Sequence, residues 1–157
     1  MAKQVIKGMA MLVVVATLAL VSASATNAQT RSKLHANVPF DFTVGNKDLA
    51  AGEYNINGLF NSGDTIVVSN GDKAAIRLSS ALISSEPQKN NKLVFHKYGE
   101  RYFLAEVWRA GESTGRKLVT SKAEDAIRSE VASVYRMRGI NKDAYDRVEL
   151  LDRKSVV

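Results

Sequence analysis

The pentapeptide Gly111-Glu112-Ser113-Thr114-Gly115 fits G-x-S-x-G, the strand-to-helix elbow that presents a serine Oγ for nucleophilic attack. Chemistry at that serine needs a histidine later in the chain and a helix that starts directly behind the motif. The sequence offers neither. His35 and His96 are its two histidines, both precede Ser113, and Arg116 to Thr120 separate the motif from the next helical pattern. A Gly/Ser-containing connection is the reading that remains. His96, set among apolar neighbours, is the more interesting candidate for a general base. Neither histidine sits in H-x-H or H-x-x-x-H spacing or beside a carboxylate cluster, so no metal site is expected. The chain has no cysteine, which removes thiol catalysis and thiolate ligands. These residues therefore predict no catalytic group, no metal and no cofactor, and the chain is expected not to be an enzyme.

The aromatic residues are the other candidates. Tyr54, Phe60, Phe95, Tyr102, Phe103 and Trp108 have the size to line an apolar pocket for a small ligand, as in small barrels. Ligand contact is expected from Trp108, Tyr102 and Phe95, with His96 beside them. Core filling explains the same aromatics equally well.

The elements that would position these groups are mostly strands. Leu34, Ala36, Val38, Phe40, Phe42 and Val44 alternate with mostly polar residues, the period of a half-buried strand. Pro39 within it has no N–H for a ladder, which predicts a sheet edge or a bulge there. A second strand is predicted near Glu53 to Phe60, with Tyr54 and Ile56 on one face, and a third at Thr65 to Ser69. Asn70-Gly71 is a strong hairpin signal, answered by a strand from Lys73 to Ile83. Lys92 to Lys97 and Tyr102 to Ala110 form the best-specified hairpin. A two-residue Gly99-Glu100 loop would pair His96 with Phe103 and Leu93 with Glu106. On that register Val94, Phe103, Ala105 and Val107 share one face, while Phe95, Tyr102, Leu104 and Trp108 share the other. Glu106 then points away from His96. Apolar residues on both faces predict a central position in the sheet.

The period then changes. Ser121 with Glu124 forms a capping box, and Ala123, Ala126, Ile127, Val131, Val134 and Tyr135 recur at helical spacing ahead of Gly139, which predicts one amphipathic helix over residues 121–138. Glu124 and Arg128 are spaced for an i,i+4 pair. Residues 140–157 fit a second helix through Ala144, Tyr145, Val148 and Leu151, and a strand through Val148 and Leu150. The expected fold is mainly β: one antiparallel barrel-like or sandwich domain of about six or seven strands, with the helix covering one face or plugging a barrel mouth.

Compartment is read from the first 28 residues. Lys3 and Lys7 precede an unbroken small and apolar run from Met9 to Val21, and residues 22–28 offer small-residue cleavage positions after Ala28 or Ala25, the pattern of a secretory leader. The apolar run is shorter than the roughly 20 residues that span hydrocarbon, so no stable membrane span is expected after cleavage. Export makes the mature chain, residues 29–157, periplasmic or secreted, and an oxidising compartment without cysteine leaves stability to packing and strand pairing. The formal charge of +6 falls by the two leader lysines. The remaining charges are scattered, which reads as a solvated surface with a diffuse attraction to anionic envelope material. No basic stripe is interleaved with stacking aromatics, so nucleic acid is not an expected partner.

The segments Ala36-Asn37-Val38-Pro39-Phe40-Asp41-Phe42, Gly52-Glu53-Tyr54, Lys92 to Gly99 and Tyr102 to Trp108 resemble those of a family of exported bacterial proteins of uncharacterised activity. The similarity spans residues 36–134. It implies a signal peptide, a β-rich domain and a following helix, and it carries no cofactor or site residue. The function expected is a non-enzymatic exported β domain that binds or supports an envelope component, with an apolar-ligand carrier as the alternative and an envelope hydrolase behind both.

Overall fold

Pro39 divides the first alternating run into two strands that go to different neighbours. In the computed structural model, described over residues 33–59, 64–71 and 73–152, β1 (Lys33–Val38) stops just before the proline and β2 (Phe42–Val44) begins after it. The segment predicted to be a leader, Met1–Ala28, the aromatic Phe60 and most of the turn predicted at residues 61–64 lie outside the described residues. The other strands are β3 (Lys47–Leu49), β4 (Gly52–Leu59), β5 (Thr65–Ser69), β6 (Ala74–Ile83), β7 (Asn91–Tyr98), β8 (Arg101–Trp108), β9 (Thr114–Leu118) and β10 (Asp146–Asp152). One helix, α1 (Lys122–Met137), precedes β10. The described chain is thus mainly β with a helix near its C-terminal end, as the patterning predicts. It has ten strands rather than six or seven, because Pro39 splits one run, a short β2–β3 hairpin is added, and part of the ambiguous tail, Asp146–Asp152, is a strand.

Antiparallel ladders run in the order β1-β4-β5-β6-β9-β8-β7-β10. The β2–β3 hairpin sits beside the first half of β8 through a parallel bridge, Thr43 to Phe103, while β9 takes the second half. Seven antiparallel steps leave β1 and β10 antiparallel to each other. They approach within 8 Å of Cα separation, yet each keeps a ladder on one side only: β1 with β4, β10 with β7. The sheet curls without closing, so it is not a closed barrel. Pro39 lies at the end of an edge strand, where a missing N–H costs no ladder bond.

Leu34, Val38, Tyr54, Ile56, Val68 and Phe95, all buried, represent the shared core on the concave side, which Phe42, Val44 and Leu49 also join. The predicted pairing of Tyr54 with Ile56 on one face is seen here. Arg77 is on this side too, opposite Ile66, and donates to the carbonyls of Val119 and Thr120. It thereby ties the chain that leads into α1 to the middle of the sheet.

The central hairpin corrects the predicted register. Gly99-Glu100 forms the expected two-residue loop, Gly99 takes φ +61°, and His96 pairs with Phe103. Between Val94 and Phe95 the register shifts: Val94 faces Glu106 and Phe95 faces Leu104, which leaves Ala105 as the extra residue of a bulge. One added residue reverses the facing of everything after it. Leu93 therefore meets Val107 rather than Glu106, and Val107 joins Phe95 and Leu104 in the core. Trp108, predicted on the face of Phe95, is opposite Lys92 on the convex side, and Glu106 shares the face of His96.

The helix also departs from expectation. Ser121 caps it, its Oγ accepting the Glu124 N–H at 3.1 Å, and Gly139 at φ +66° ends it with Ile140 N–H donating to Tyr135 and Gly139 N–H to Arg136. Its first turn lies against the convex face of β7, outside the curl, rather than in a barrel mouth. The residue it buries most is Glu124, whereas Ile127, Val131, Val134 and Tyr135 are half-buried and Ala123 and Ala126 exposed. No helix among the described residues is long and apolar enough to cross a membrane.

Candidate functional site

The convex face of β7, β8 and β10 carries a polar network that the bulge assembles. His96 Nδ1 lies 2.8 Å from Glu124 Oε1, and Tyr98 donates its hydroxyl to the same oxygen at 3.3 Å. Glu124 is thus drawn away from the reciprocal half of its capping box, and Arg128 pairs with Asp125 instead of Glu124. The Tyr145 ring covers His96 at 3.9 Å between centroids. Next along the sheet, Glu106 receives both Arg147 terminal nitrogens, at 2.8 and 2.9 Å, and the Trp108 indole N–H at 2.8 Å. Burial alone would raise the Glu106 carboxyl, but the bonds from Arg147 and Trp108 outweigh it and hold the group below its ordinary value. Burial, reinforced by the Glu124 charge, pushes the Tyr98 phenol well above its usual range.

What this network does chemically is hold elements together. His96 and Glu124 are 6 % and 4 % exposed, so a substrate has little access to the pair. Ser113 lies in an exposed stretch whose carbonyl accepts the Ser84 N–H, and the chain continues from it into β9, not into a helix. Gly115 has a packing reason: a Cβ there would lie 2.4 Å from the Trp108 ring, so only glycine lets the indole lie flat on β9. Among the described residues no group of three or more His, Asp or Glu is arranged to hold a metal ion.

The four residues expected to touch a ligand are not brought together. Phe95 is fully buried on the concave side, and Tyr102 stacks on Phe40 at 4.0 Å near it. His96 and Trp108 are buried on the convex side, inside the network just described. Trp108, at 7 % exposure, is as buried as the alternation predicted, though on the opposite face.

A different site is open. A cleft of about 750 Å³ lies at the unjoined seam between β1 and β10. Its apolar wall comes from Leu34 and Ala36 of β1, Tyr54 of β4, Leu93 of β7 and Leu150 of β10. Tyr54 is fixed there by a 2.7 Å bond from its hydroxyl to the Ala50 carbonyl. The polar rim holds His35, Asn37, Glu53, Asn55, Asn70 and Lys92, with Asn91 at the β7 end. Alternation explains this double character: on each edge strand successive side chains go to opposite faces, and the cleft wraps over the edge to meet both. Lys92 faces Glu149 at 3.6 Å, and Asn70 and Asn91 use their side-chain oxygens on the N–H groups of Lys73 and Ala110. Asn55 differs: its Oδ1 is buried and has no hydrogen-bond partner among the described residues, and the same holds for Asn57 two residues on. Sequence reasoning named Tyr54 among its aromatics but missed the cleft, since its residues come from strands far apart in the chain.

No protein-family model, no curated protein and no solved structure matches this chain.

Proposed function

We propose that this chain is an exported, non-enzymatic β domain that binds a small amphiphilic ligand of the cell envelope in the cleft between β1 and β10. The cleft carries the reading. Its volume of about 750 Å³ falls in the range of small-molecule sites, roughly 300–1,000 Å³, and its lining pairs an apolar wall with a polar rim. An alkyl chain buried against Leu34, Ala36, Leu93 and Leu150 gains about 0.8 kcal/mol per CH₂ group removed from water, while the rim keeps a head group solvated or hydrogen-bonded. The leader pattern at Met1 to Ala28 supports the compartment.

The test is native mass spectrometry of the full chain expressed with its own leader and isolated from the envelope fraction. The expected result is a species that starts at Gln29 or Thr26 and carries a non-covalent small-molecule adduct, lost in the Leu150→Asn variant at unchanged secondary structure by circular dichroism. Ligand-free protein in both variants, or an adduct indifferent to Leu150, overturns the binding reading. Protein retained in the cytoplasm with Met1 intact overturns the export reading.

A further inference from the structure

We infer that the head group this cleft selects is cationic, a primary ammonium, which rests on the amphiphile reading above and goes beyond it. The first observation is charge. Glu53, Lys92 and His35 are the titratable side chains of the rim. Lys92 is already committed: its ammonium lies 3.6 Å from Glu149 and 5.5 Å from the centre of the Trp108 ring, and the same Glu149 oxygen accepts from Arg147 at 3.2 Å. Arg147 is in turn held by Glu106, so these two cations and two anions balance. Glu53 differs. It is exposed and has no ion-pair partner among the described residues, which leaves one negative charge unanswered at the mouth of the cleft. A cationic head meets that charge, an anionic head is repelled by it, and a neutral head gains nothing from it.

The second observation is what stands beside Glu53. Asn37 of β1 is its direct cross-strand partner, and the side chains of such a pair share a face with Cβ atoms about 4.5–5.5 Å apart. Asn37 is exposed too, and its amide oxygen is a second acceptor next to the carboxylate. A primary ammonium carries three donors for these two acceptors and water, whereas a quaternary head has none to give. The wall agrees with this placement. Tyr54 follows Glu53 along β4 and so faces the other way, into the apolar side, and a chain laid against Leu34, Ala36 and Tyr54 brings its head over the strand edge to Asn37 and Glu53. The field at this end of β4 is negative beyond Glu53 itself: burial raises the Tyr54 phenol above its ordinary value, and the charge of Asp41 raises it further.

The experiment holds the alkyl chain constant and varies the head. Decylammonium, decyltrimethylammonium, decanoate and decyl maltoside are titrated below their micellar concentrations into the ligand-stripped, leader-processed protein by isothermal titration calorimetry, at about pH 8, where a histidine is ordinarily uncharged. Decylammonium is expected to bind on the order of threefold more tightly than the maltoside, the scale of an exposed ion pair, with decyltrimethylammonium between them and decanoate weakest. Glu53→Gln is expected to remove the preference for decylammonium and leave the maltoside unchanged. Glu53 is exposed, so this variant keeps the fold, and Glu130→Gln, at an exposed position on α1, controls for general attraction to the surface. Maltoside or decanoate bound as tightly as decylammonium, or a preference that Glu53→Gln spares or Glu130→Gln removes equally, overturns the cationic assignment and leaves the cleft as an alkyl site. Decyltrimethylammonium bound as tightly as decylammonium overturns the part assigned to N–H donation. Binding of none of the four overturns the amphiphile reading itself.

Discussion

The two faces of the β7–β8 hairpin are equally buried and are built on opposite principles. On the concave side Leu93, Phe95, Leu104 and Val107 belong to the hydrophobic core, and any residue of suitable volume serves a contact of that kind. On the convex side His96, Tyr98, Glu106 and Trp108 are buried through specific partners: Glu124, Arg147 and each other. The first face supplies stability without direction. The second supplies direction, since each group there has an acceptable position only where its partner stands. α1 illustrates the division. Its apolar stripe is half-exposed, and the contact that sets its first turn against the sheet is the burial of Glu124 against His96 and Tyr98.

Truncation separates the two most strongly on the concave side. Phe95→Ala, at a site with no exposure, is expected to cost about 3–5 kcal/mol, read as a lowered urea midpoint with unchanged slope. A cost under 1 kcal/mol would place the main core elsewhere. The convex face is tested by a cycle. Glu124→Leu leaves His96 Nδ1 and the Tyr98 hydroxyl without their shared acceptor, at about 1–3 kcal/mol for each group left unpaired. His96→Leu combined with Glu124→Leu removes both ends of the shortest bond, and is expected to be less destabilising than the two single changes added together. Strict additivity would show that the pair does not orient the helix.

The smallest effect is electrostatic. Glu106 is held below its ordinary value in the folded protein, so its bonds to Arg147 and Trp108 stabilise at neutral pH and are lost as pH falls below the usual glutamate range near about 4.3. Stability measured by thermal melting is expected to fall more steeply below that pH in the natural protein than in Glu106→Gln. Parallel profiles would remove Glu106 as a pH-sensitive support.

Local signals were read well and long-range ones were not. Thr65–Ser69, the two-residue loop at Gly99-Glu100 and the caps of α1 at Ser121 and Gly139 lie where the sequence puts them, because turn and cap chemistry acts within a few residues. The bulge at Ala105 has no glycine or proline to mark it, and its consequence is large, since it carries Glu106 and Trp108 to the other face. Glu124 reads as half of a capping box until His96, 28 residues earlier, is seen to claim its carboxylate. Residues 140–157 have two competing periods, and pairing with β7 selects the strand for Asp146–Asp152. The cleft was illegible for the same reason: Leu34 and Leu150 become neighbours of one space only after every intervening strand has paired.

That seam also has a temporal meaning. Contacts between β1 and β10 join residues more than 100 positions apart in the numbering, and the entropy of closing so long a loop must be met before the contact contributes anything. Such contacts form late in folding and are the first to part in partial opening. The chain therefore places its contact of longest sequence separation at one line, whereas β4–β5, β5–β6 and β7–β8 are hairpins of short separation. Amide hydrogens along the outer edges of β1 and β10, each paired on one side only, are expected to exchange faster than those of β7 and β8, which hydrogen-exchange measurement would check. A molecule that enters at the seam meets the part of the sheet that yields with the least disturbance to the rest.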